Sequence, residues 1–238
     1  MGNTSNAGGA DTVPATGSVR DLGSRRRTAS PGLVLALTSV AFFMVSLDAL
    51  VVVTALPAIH RSIGGSIGTL EWAVNAYALT FAAGIITAAA LGERLGRRRV
   101  YAIGLVVFTL ASAACAVAPS ASLLIAARAV QGLGAAAVTP LALTILAAAF
   151  PVERRGAVVG IFGGISGLAV AGGPLVGGAV TQGLDWHWIF WINVPFGVFA
   201  VIGSLLFLPA GRAAAAGGAR AGQGRLDVPG AVLSAAGA

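Results

Sequence analysis

Six long apolar runs constrain the fold of this chain more than any other feature of its sequence. They cover residues 33–56, 70–91, 100–118, 123–150, 156–180 and 189–208. Each has about 19–28 residues, the length that an α-helix needs to cross ~30 Å of hydrocarbon. Charged residues make up only 10% of the chain, whereas a soluble domain carries about 25%. We therefore predict an all-α membrane protein with six spans in a lipid bilayer.

The arginines predict how the spans are oriented. All 15 basic residues are arginines, and 13 of them fall in segments on one side of the predicted membrane. Arg61 is on the other side, and Arg128 lies inside the fourth run. Short loops rich in arginine are retained in the cytoplasm, so we predict a multi-pass protein of the cytoplasmic membrane with its N-terminus inside. The net charge of +7 does not indicate nucleic-acid binding, because the arginines do not share one exposed face.

The segments that flank the six runs are expected to lie in the cytoplasm. Residues 1–32 are rich in Gly, Ser and Thr, so we predict a disordered tail. The arginines at 25–27 also fit a twin-arginine export signal, but the run that follows is long and precedes several others, which favours a membrane anchor. Residues 209–227 are predicted to be a flexible linker. The apolar residues 228–238 are too few to span, so we expect the start of a seventh span in a longer protein.

Two ionisable residues, Asp48 and Arg128, lie within predicted spans. A charge deep in a span costs about 2.5–3.5 kcal/mol on insertion scales, so it normally faces a partner or a water-filled cavity. The simpler alternative is that either side chain lies near an interface and reaches the headgroups. The functional interpretation is that Asp48 lines a central cavity and exchanges a proton, while Arg128 remains charged throughout. Gln131 shares a helical face with Arg128 and is expected in the same cavity.

The fifth run is dominated by glycine. Glycines recur at four-residue spacing at 160/164, 163/167 and 173/177, which predicts strips where a neighbouring helix can approach closely. Pro174 removes one backbone donor and is expected to bend the helix. Packing alone is a sufficient explanation for the strips, whereas the Gly-Pro-x-x-Gly-Gly cluster at residues 173–178 is more specific.

Metal, cofactor and enzyme chemistry have little support in the sequence. Cys115 is the single cysteine, so we expect neither a disulfide nor a cysteine-based metal site, and we interpret it as a small buried packing residue. Ser166 lies in a Gly-x-Ser-Gly pattern that would suit an intramembrane serine protease. Such a nucleophile needs a base, and both histidines, His60 and His187, fall in predicted outside loops. We therefore predict a protein that is not an enzyme.

The arginine-rich stretch at residues 91–99 resembles motif A of the major facilitator superfamily, the hairpin between spans two and three. Ala89 stands where the family usually has Gly, and Glu93 where it usually has Asp. The longer Glu93 carboxylate can still cap a neighbouring helix N-terminus. The resemblance implies a gating hairpin that meets the other half of the transporter, formed here by Gly92, Glu93, Arg94, Gly96, Arg97 and Arg98.

Three further stretches carry the same resemblance. Residues 128–136 resemble motif B of the fourth span, whose arginine is linked to proton coupling. Residues 172–178 resemble motif C of the fifth span, which is associated with antiporters; its glycines and proline are here Gly173, Pro174, Gly177 and Gly178. Residues 47–57, with Trp72 and Tyr77, resemble the start of the drug:proton antiporter branch with fourteen spans. So do residues 186–197, although His187 stands where that branch usually has Arg.

The resemblance covers about residues 33–208 and implies the six-helix N-terminal bundle of such a transporter, built from two three-helix inverted repeats. The implied function is proton-coupled efflux of small amphipathic organic compounds, driven by the proton gradient without a cofactor. The missing C-terminal half of the same transporter would be its partner. Trp72, Asn75 and Tyr77 are possible cavity contacts, although interfacial anchoring by Trp72 and helix packing by the other two explain them equally well. A transport-inactive truncated fragment is the alternative, and twelve and fourteen spans both stay open.

Overall fold

A computed structural model of the chain describes residues 30–208, which form seven helices and contain no strand. Six segments among these residues are long and apolar enough to cross a membrane, because α6 and α7 together form one span. The prediction of an all-α membrane protein with six spans is confirmed. The predicted tail, linker and seventh span lie outside the described residues, apart from the last residues of the tail. The helices are α1 Pro31–Ile63, α2 Ile67–Leu95, α3 Arg97–Ala116, α4 Ala121–Ala149, α5 Val152–Gly183, α6 Trp188–Trp191 and α7 Asn193–Phe207.

The first helix is longer than predicted. We expected it to end before Pro57, but the helix continues to Ile63 and ends where Gly64 and Gly65 adopt positive φ angles of 76° and 90°. A proline removes only one backbone donor, and membrane helices tolerate that loss. His60 and Arg61 therefore lie in the last turn of α1, not in the outside loop where the sequence placed them.

The arginine-rich hairpin is also tighter than expected. Helix α2 runs through Leu95 and α3 begins at Arg97, so that Gly96 alone separates them. Gly96 has a φ of 99°, a conformation that residues with a side chain rarely adopt. Most of the predicted loop is consequently helical. In the same way α5 begins at Val152 rather than at residue 156, which places Arg154 and Arg155 in its first turn.

The sixth span is interrupted near its start. A single residue, Ile192, separates α6 from α7. Pro195 explains the interruption, because its ring crowds the carbonyl four residues earlier, at Trp191, and it has no N–H to donate there. Asn193 follows Ile192 directly and lies in the first turn of α7, where it is buried.

The helices pack in pairs that are consistent with two repeats. Helix α4 packs on α2 and α3, α1 packs on α5, and α7 packs on α3 and α1. In two repeats of three, spans one, two and three correspond to spans four, five and six. Under this correspondence the α1–α5 contact matches the α4–α2 contact. The α3–α4 contact likewise matches the contact of the sixth span with α1. The main pairings survive the exchange, as expected for inverted repeats.

Two glycine contacts fix how closely these helices approach. A Cβ on Gly134 of α4 would lie 2.6 Å from the backbone nitrogen of Phe108 in α3. On α5, Gly173 and Gly177 face Leu50 and Thr54 of α1. The predicted strips at 160/164 and 163/167 are different, because no other residue in the described part of the chain comes within 4 Å of a Cβ built there. Of the three predicted strips, only the one at 173/177 packs closely against another helix among residues 30–208.

Candidate functional site

A buried ion pair between α1 and α4 forms the centre of the site. The Asp48 Oδ2 atom lies 2.6 Å from Arg128 Nη1, and neither side chain is exposed at all. This is the one ion pair within residues 30–208. Two charges at such depth are costly unless they neutralise each other and satisfy their hydrogen bonds. The two ionisable residues that the sequence identified separately are therefore direct partners.

Two amides complete the surroundings of the Asp48 carboxylate. Gln131 Nε2 donates to Asp48 Oδ1 over 3.0 Å, and Asn193 Nδ2 donates to the same oxygen over 2.7 Å. Both amides are buried. With the bond from Arg128, the carboxylate accepts three hydrogen bonds that come from α4 and α7. The predicted place of Gln131 beside Arg128 agrees with this geometry.

The Arg128 guanidinium is held from several directions. Its Nη1 atom also donates to Gln131 Oε1 over 2.9 Å, and its Nε atom donates to the Ala73 carbonyl over 3.3 Å. Its carbon Cζ lies 4.1 Å from the centroid of the Tyr77 ring, close enough for a cation–π contact. The Nη2 atom is buried and has no hydrogen-bond partner among the described residues. One donor of the central cation is therefore left unused in this conformation.

A second layer of polar groups lies on α3 and α6. Asn193 Nδ2 also donates to Ser112 Oγ over 3.1 Å, and the Ser112 hydroxyl donates to the Phe190 carbonyl over 3.0 Å. The Cys115 thiol lies 3.6 Å from Gln131 Oε1 and donates to it weakly. The network thus joins every span except the fifth. Cys115 is buried, as predicted, but it also contacts the site.

The sequence did not identify Asn193 and Ser112 as site residues. Asn193 stands in the stretch that carried the family resemblance, and an amide among apolar neighbours in a span was the signal that could have singled it out. Ser112 gave no such signal. Serine and threonine often bond to their own helix, as Thr109 does with the Leu105 carbonyl over 2.7 Å.

The predicted cavity residues on α2 separate into two groups. Tyr77 is buried against Arg128, on the face of α2 that packs on α4. Trp72 is 54% exposed and Asn75 is also exposed. Neither Trp72 nor Asn75 forms a side-chain hydrogen bond within residues 30–208. Their proposed contact with substrate stays a prediction.

The residues of the gating hairpin lie where α2 ends and α3 begins. Gly92 is buried against Leu141 of α4, where a Cβ would lie 2.5 Å from a methyl group. Arg98 donates a hydrogen bond to the Leu205 carbonyl near the end of α7. Glu93, Arg94 and Arg97 are exposed, and none of them forms an ion pair with another described residue. The proposed cap by Glu93 is absent from the hydrogen bonds among residues 30–208.

The glycine and proline motif of α5 lies against α1. Gly173 and Gly177 are buried, Gly178 is half-buried and Pro174 is exposed. Helix α5 continues through Pro174 to Gly183. Ser166 lies on the same helix and makes no hydrogen bond to a histidine within the described part of the chain. Among these residues no group of three or more His, Cys, Asp or Glu side chains could hold a metal ion.

The match to one family model extends over almost the whole chain. A model described as the Major Facilitator Superfamily matches residues 14–235. The chain belongs to the major facilitator superfamily. The major facilitator superfamily is a family of transporters rather than of enzymes, so the protease alternative at Ser166 is wrong. The resemblance drawn from the four sequence motifs is confirmed.

Curated relatives share substantial sequence identity with this chain. The multidrug resistance protein Stp of Mycobacterium tuberculosis is 41% identical over 177 residues, which are 74% of this chain and 33% of that protein. The tetracenomycin C resistance and export protein of Streptomyces glaucescens is 36% identical over 183 residues, which are 77% of this chain and 34% of that protein. The chain therefore spans about a third of the length of these relatives.

A solved transporter structure supports the fold. The crystal structure of a D-xylose-proton symporter superposes with a TM-score of 0.64 at 14% sequence identity, over 77% of this chain and 50% of that one. At this identity the likeness shows the fold alone. It agrees with a six-helix unit that corresponds to about half of a complete transporter.

Proposed function

We propose that this chain supplies the N-terminal six spans of a proton-coupled exporter of small amphipathic organic compounds. The names of these relatives, which describe multidrug resistance in one and tetracenomycin C resistance and export in the other, support export as the direction of transport. The residues that match make up only about a third of each relative, so the complete transporter needs further spans to close its cavity. Those spans form the missing C-terminal half of the same transporter.

The buried Asp48–Arg128 pair carries this proposal. The Asp48 carboxylate has no exposed surface and forms an ion pair with a guanidinium 2.6 Å away. A pair of apolar side chains could fill the same structural role at lower cost. The carboxylate is suited to holding and releasing a proton. Protonation removes the negative charge of Asp48 and weakens its attraction to Arg128, so the α1–α4 contact is stronger in the deprotonated state.

Transport then follows from two access states with different proton affinities. In the described conformation neither Asp48 nor Arg128 is exposed to water, so a proton reaches Asp48 only after the helices rearrange. A proton favours the state in which Asp48 is neutral, and substrate favours the other. Exchange of one for the other couples export to the proton gradient. Gln131, Trp72, Asn75 and Tyr77 are our proposed substrate contacts.

The arrangement of charge supports an N-terminus in the cytoplasm. The α2–α3 turn and the start of α5 carry Arg94, Arg97, Arg98, Arg99, Arg154 and Arg155 at the same end of the bundle as the start of α1. The opposite end has Arg61 alone among the described residues. This asymmetry favours the arginine-rich end inside the cell. The exposed Glu93 and Arg97 are then placed to meet the C-terminal half as a cytoplasmic gate.

The test uses the full-length transporter reconstituted in liposomes. We expect Asp48→Asn to abolish export that depends on the proton gradient and to abolish proton release on addition of substrate. Asp185→Asn is the matched control, because Asp185 is an exposed aspartate in the α5–α6 connection. This variant should transport normally. If Asp48→Asn retains both gradient-driven export and substrate-induced proton release, proton coupling at Asp48 is refuted.

A further inference from the structure

Every side chain that is hydrogen-bonded to Asp48 is a donor. Arg128 donates to Oδ2, while Gln131 and Asn193 donate to Oδ1. In all three hydrogen bonds that the Asp48 side chain makes within residues 30–208, Asp48 is the acceptor. A carboxylate only accepts hydrogen bonds, whereas a protonated carboxylic acid must also donate one. The described arrangement therefore fits ionised Asp48 and leaves the protonated form without a partner for its O–H group.

Of the three partners, only the two amides can supply an acceptor. The Arg128 guanidinium carries hydrogen-bond donors and no acceptor. The Gln131 oxygen is already engaged, because it accepts from Arg128 over 2.9 Å and from the Cys115 thiol over 3.6 Å. Turning the Gln131 amide would present its NH₂ group to the Arg128 guanidinium and lose both bonds. Gln131 is therefore fixed by its neighbours.

Asn193 has no such constraint. Its Nδ2 atom makes both of its side-chain bonds, to Asp48 and to Ser112, and its Oδ1 atom has no hydrogen-bond partner in the described part of the chain. A half-turn of the amide places Oδ1 where Nδ2 was. The hydrogen bonds to Asp48 and to Ser112 are both kept if Asn193 becomes the acceptor in each of them. The Ser112 hydroxyl permits this, because it can turn from the Phe190 carbonyl and donate to Asn193 instead.

We propose that Asn193 is a positioning residue that reverses its amide when Asp48 takes up a proton. Asn193 then accepts the hydrogen bond from the O–H group on Asp48 Oδ1, and Ser112 turns to donate to Asn193. The proton stays on Asp48 throughout, and Arg128 keeps its bond to Oδ2. This inference rests on the proposed function, since it assumes that Asp48 is the group that binds the transported proton.

The charged and titratable groups around Asp48 are accounted for in this scheme. Arg128 of α4 keeps its charge, Tyr77 of α2 stacks on it, and Cys115 of α3 is bonded to Gln131. Helix α5 places no titratable side chain in the network. Asn193 is the remaining polar partner, and reversing its bonds releases the Ser112 hydrogen bond to the Phe190 carbonyl while leaving the bonds of Arg128 and Gln131 in place.

The first test replaces Asn193 with Asp, whose ionised carboxylate accepts hydrogen bonds and donates none. In the full-length transporter we expect Asn193→Asp to move the pH midpoint of substrate-induced proton release upward by about one unit or more, a tenfold change in proton binding. Ser204→Ala is the control, because Ser204 is a buried hydroxyl on the same helix that bonds only to the Val201 carbonyl. Its midpoint should match that of the wild type. An unchanged midpoint in Asn193→Asp refutes the role of Asn193.

A second test uses infrared spectroscopy and does not require transport. The C=O stretch of protonated Asp48 is identified as the band that disappears in Asp48→Asn. We expect Asn193→Leu, which is similar in size but cannot accept, to shift this band to higher wavenumber because the O–H group loses its acceptor. A band at the wild-type position refutes the proposal. If instead the wild type shows neither this band nor proton release that depends on Asp48, the proposed function itself is wrong.

Discussion

Removing one member of the Asp48–Arg128 pair should destabilise the bundle more than removing both. Asp48→Asn leaves the Arg128 guanidinium buried with the Gln131 oxygen, the Ala73 carbonyl and the Tyr77 ring as its remaining partners. The guanidinium cannot lose its proton, so it stays charged. Arg128→Gln has a milder effect, because the remaining Asp48 carboxylate keeps two amide donors and can become neutral by binding a proton.

The expected size follows from the depth and geometry of the pair. Opposite unit charges about 4 Å apart attract by about 4 kcal/mol at an effective dielectric constant near 20, and breaking a buried pair costs about 3–5 kcal/mol. A loss of about 3 kcal/mol lowers the unfolding midpoint by roughly 6–12 °C in a chain of this length. We therefore expect a drop of this size in Asp48→Asn. The double variant Asp48→Asn/Arg128→Gln should recover about half of it.

The assay is thermal unfolding of the purified 238-residue chain in detergent, followed by tryptophan fluorescence at one fixed heating rate. A fixed rate makes the apparent midpoints comparable even if unfolding is irreversible. The double-mutant cycle isolates the coupling between the two side chains. Midpoint losses that simply add in the double variant would show that the two charges do not stabilise each other, and the reasoning about the site would be refuted.

Three further predictions concern packing and the turns. Gly134→Ala should destabilise the chain by about 1–3 kcal/mol, because the new methyl group meets the Phe108 backbone. Gly160 has open space around it, so the control variant Gly160→Ala should be neutral or slightly stabilising in the same thermal assay. Gly96→Ala should cost about 1–2 kcal/mol in that assay because of its φ of 99°; a midpoint equal to that of the wild type would contradict this. Cys115 is fully buried, so maleimide labelling should be slow in the folded chain and fast after denaturation in SDS, and rapid labelling of the folded chain would contradict the described packing.

The fold was largely predictable because the bilayer restricts what an apolar chain can do. Runs of spanning length predict helices, since only helices satisfy their own backbone in lipid. The errors lay at the ends of helices. The prediction stopped α1 at Pro57 and turned residues 92–99 into a loop, because proline and clustered charge usually mark boundaries in soluble proteins. In the structure, glycines with positive φ angles end these helices instead, Gly64 and Gly65 after α1 and Gly96 after α2.

The site was predictable only where charge revealed it. Asp48 and Arg128 stand out in apolar runs, and Gln131 follows from its three-residue spacing to Arg128. Their distances depend on how α1 crosses α4, which no local pattern encodes. Asn193 has no charge and no helical period that ties it to Asp48, from which it is separated by 145 positions. Its role became visible only in the packed bundle, where it is buried and donates to Asp48.

The position of Asp48 on α1 relates the ion pair to the packing of α5. Gly173 and Gly177 of α5 contact Leu50 and Thr54, which lie within two turns of Asp48 on the same helix. Helix α5 adds no polar group to the buried network, and its main attachment in the described bundle is its packing on α1. The bonds of Asp48, in contrast, hold α1 to α4 and α7. A change in the charge of Asp48 therefore acts directly on the interfaces of α1 with α4 and α7, and it reaches α5 mainly through α1 itself.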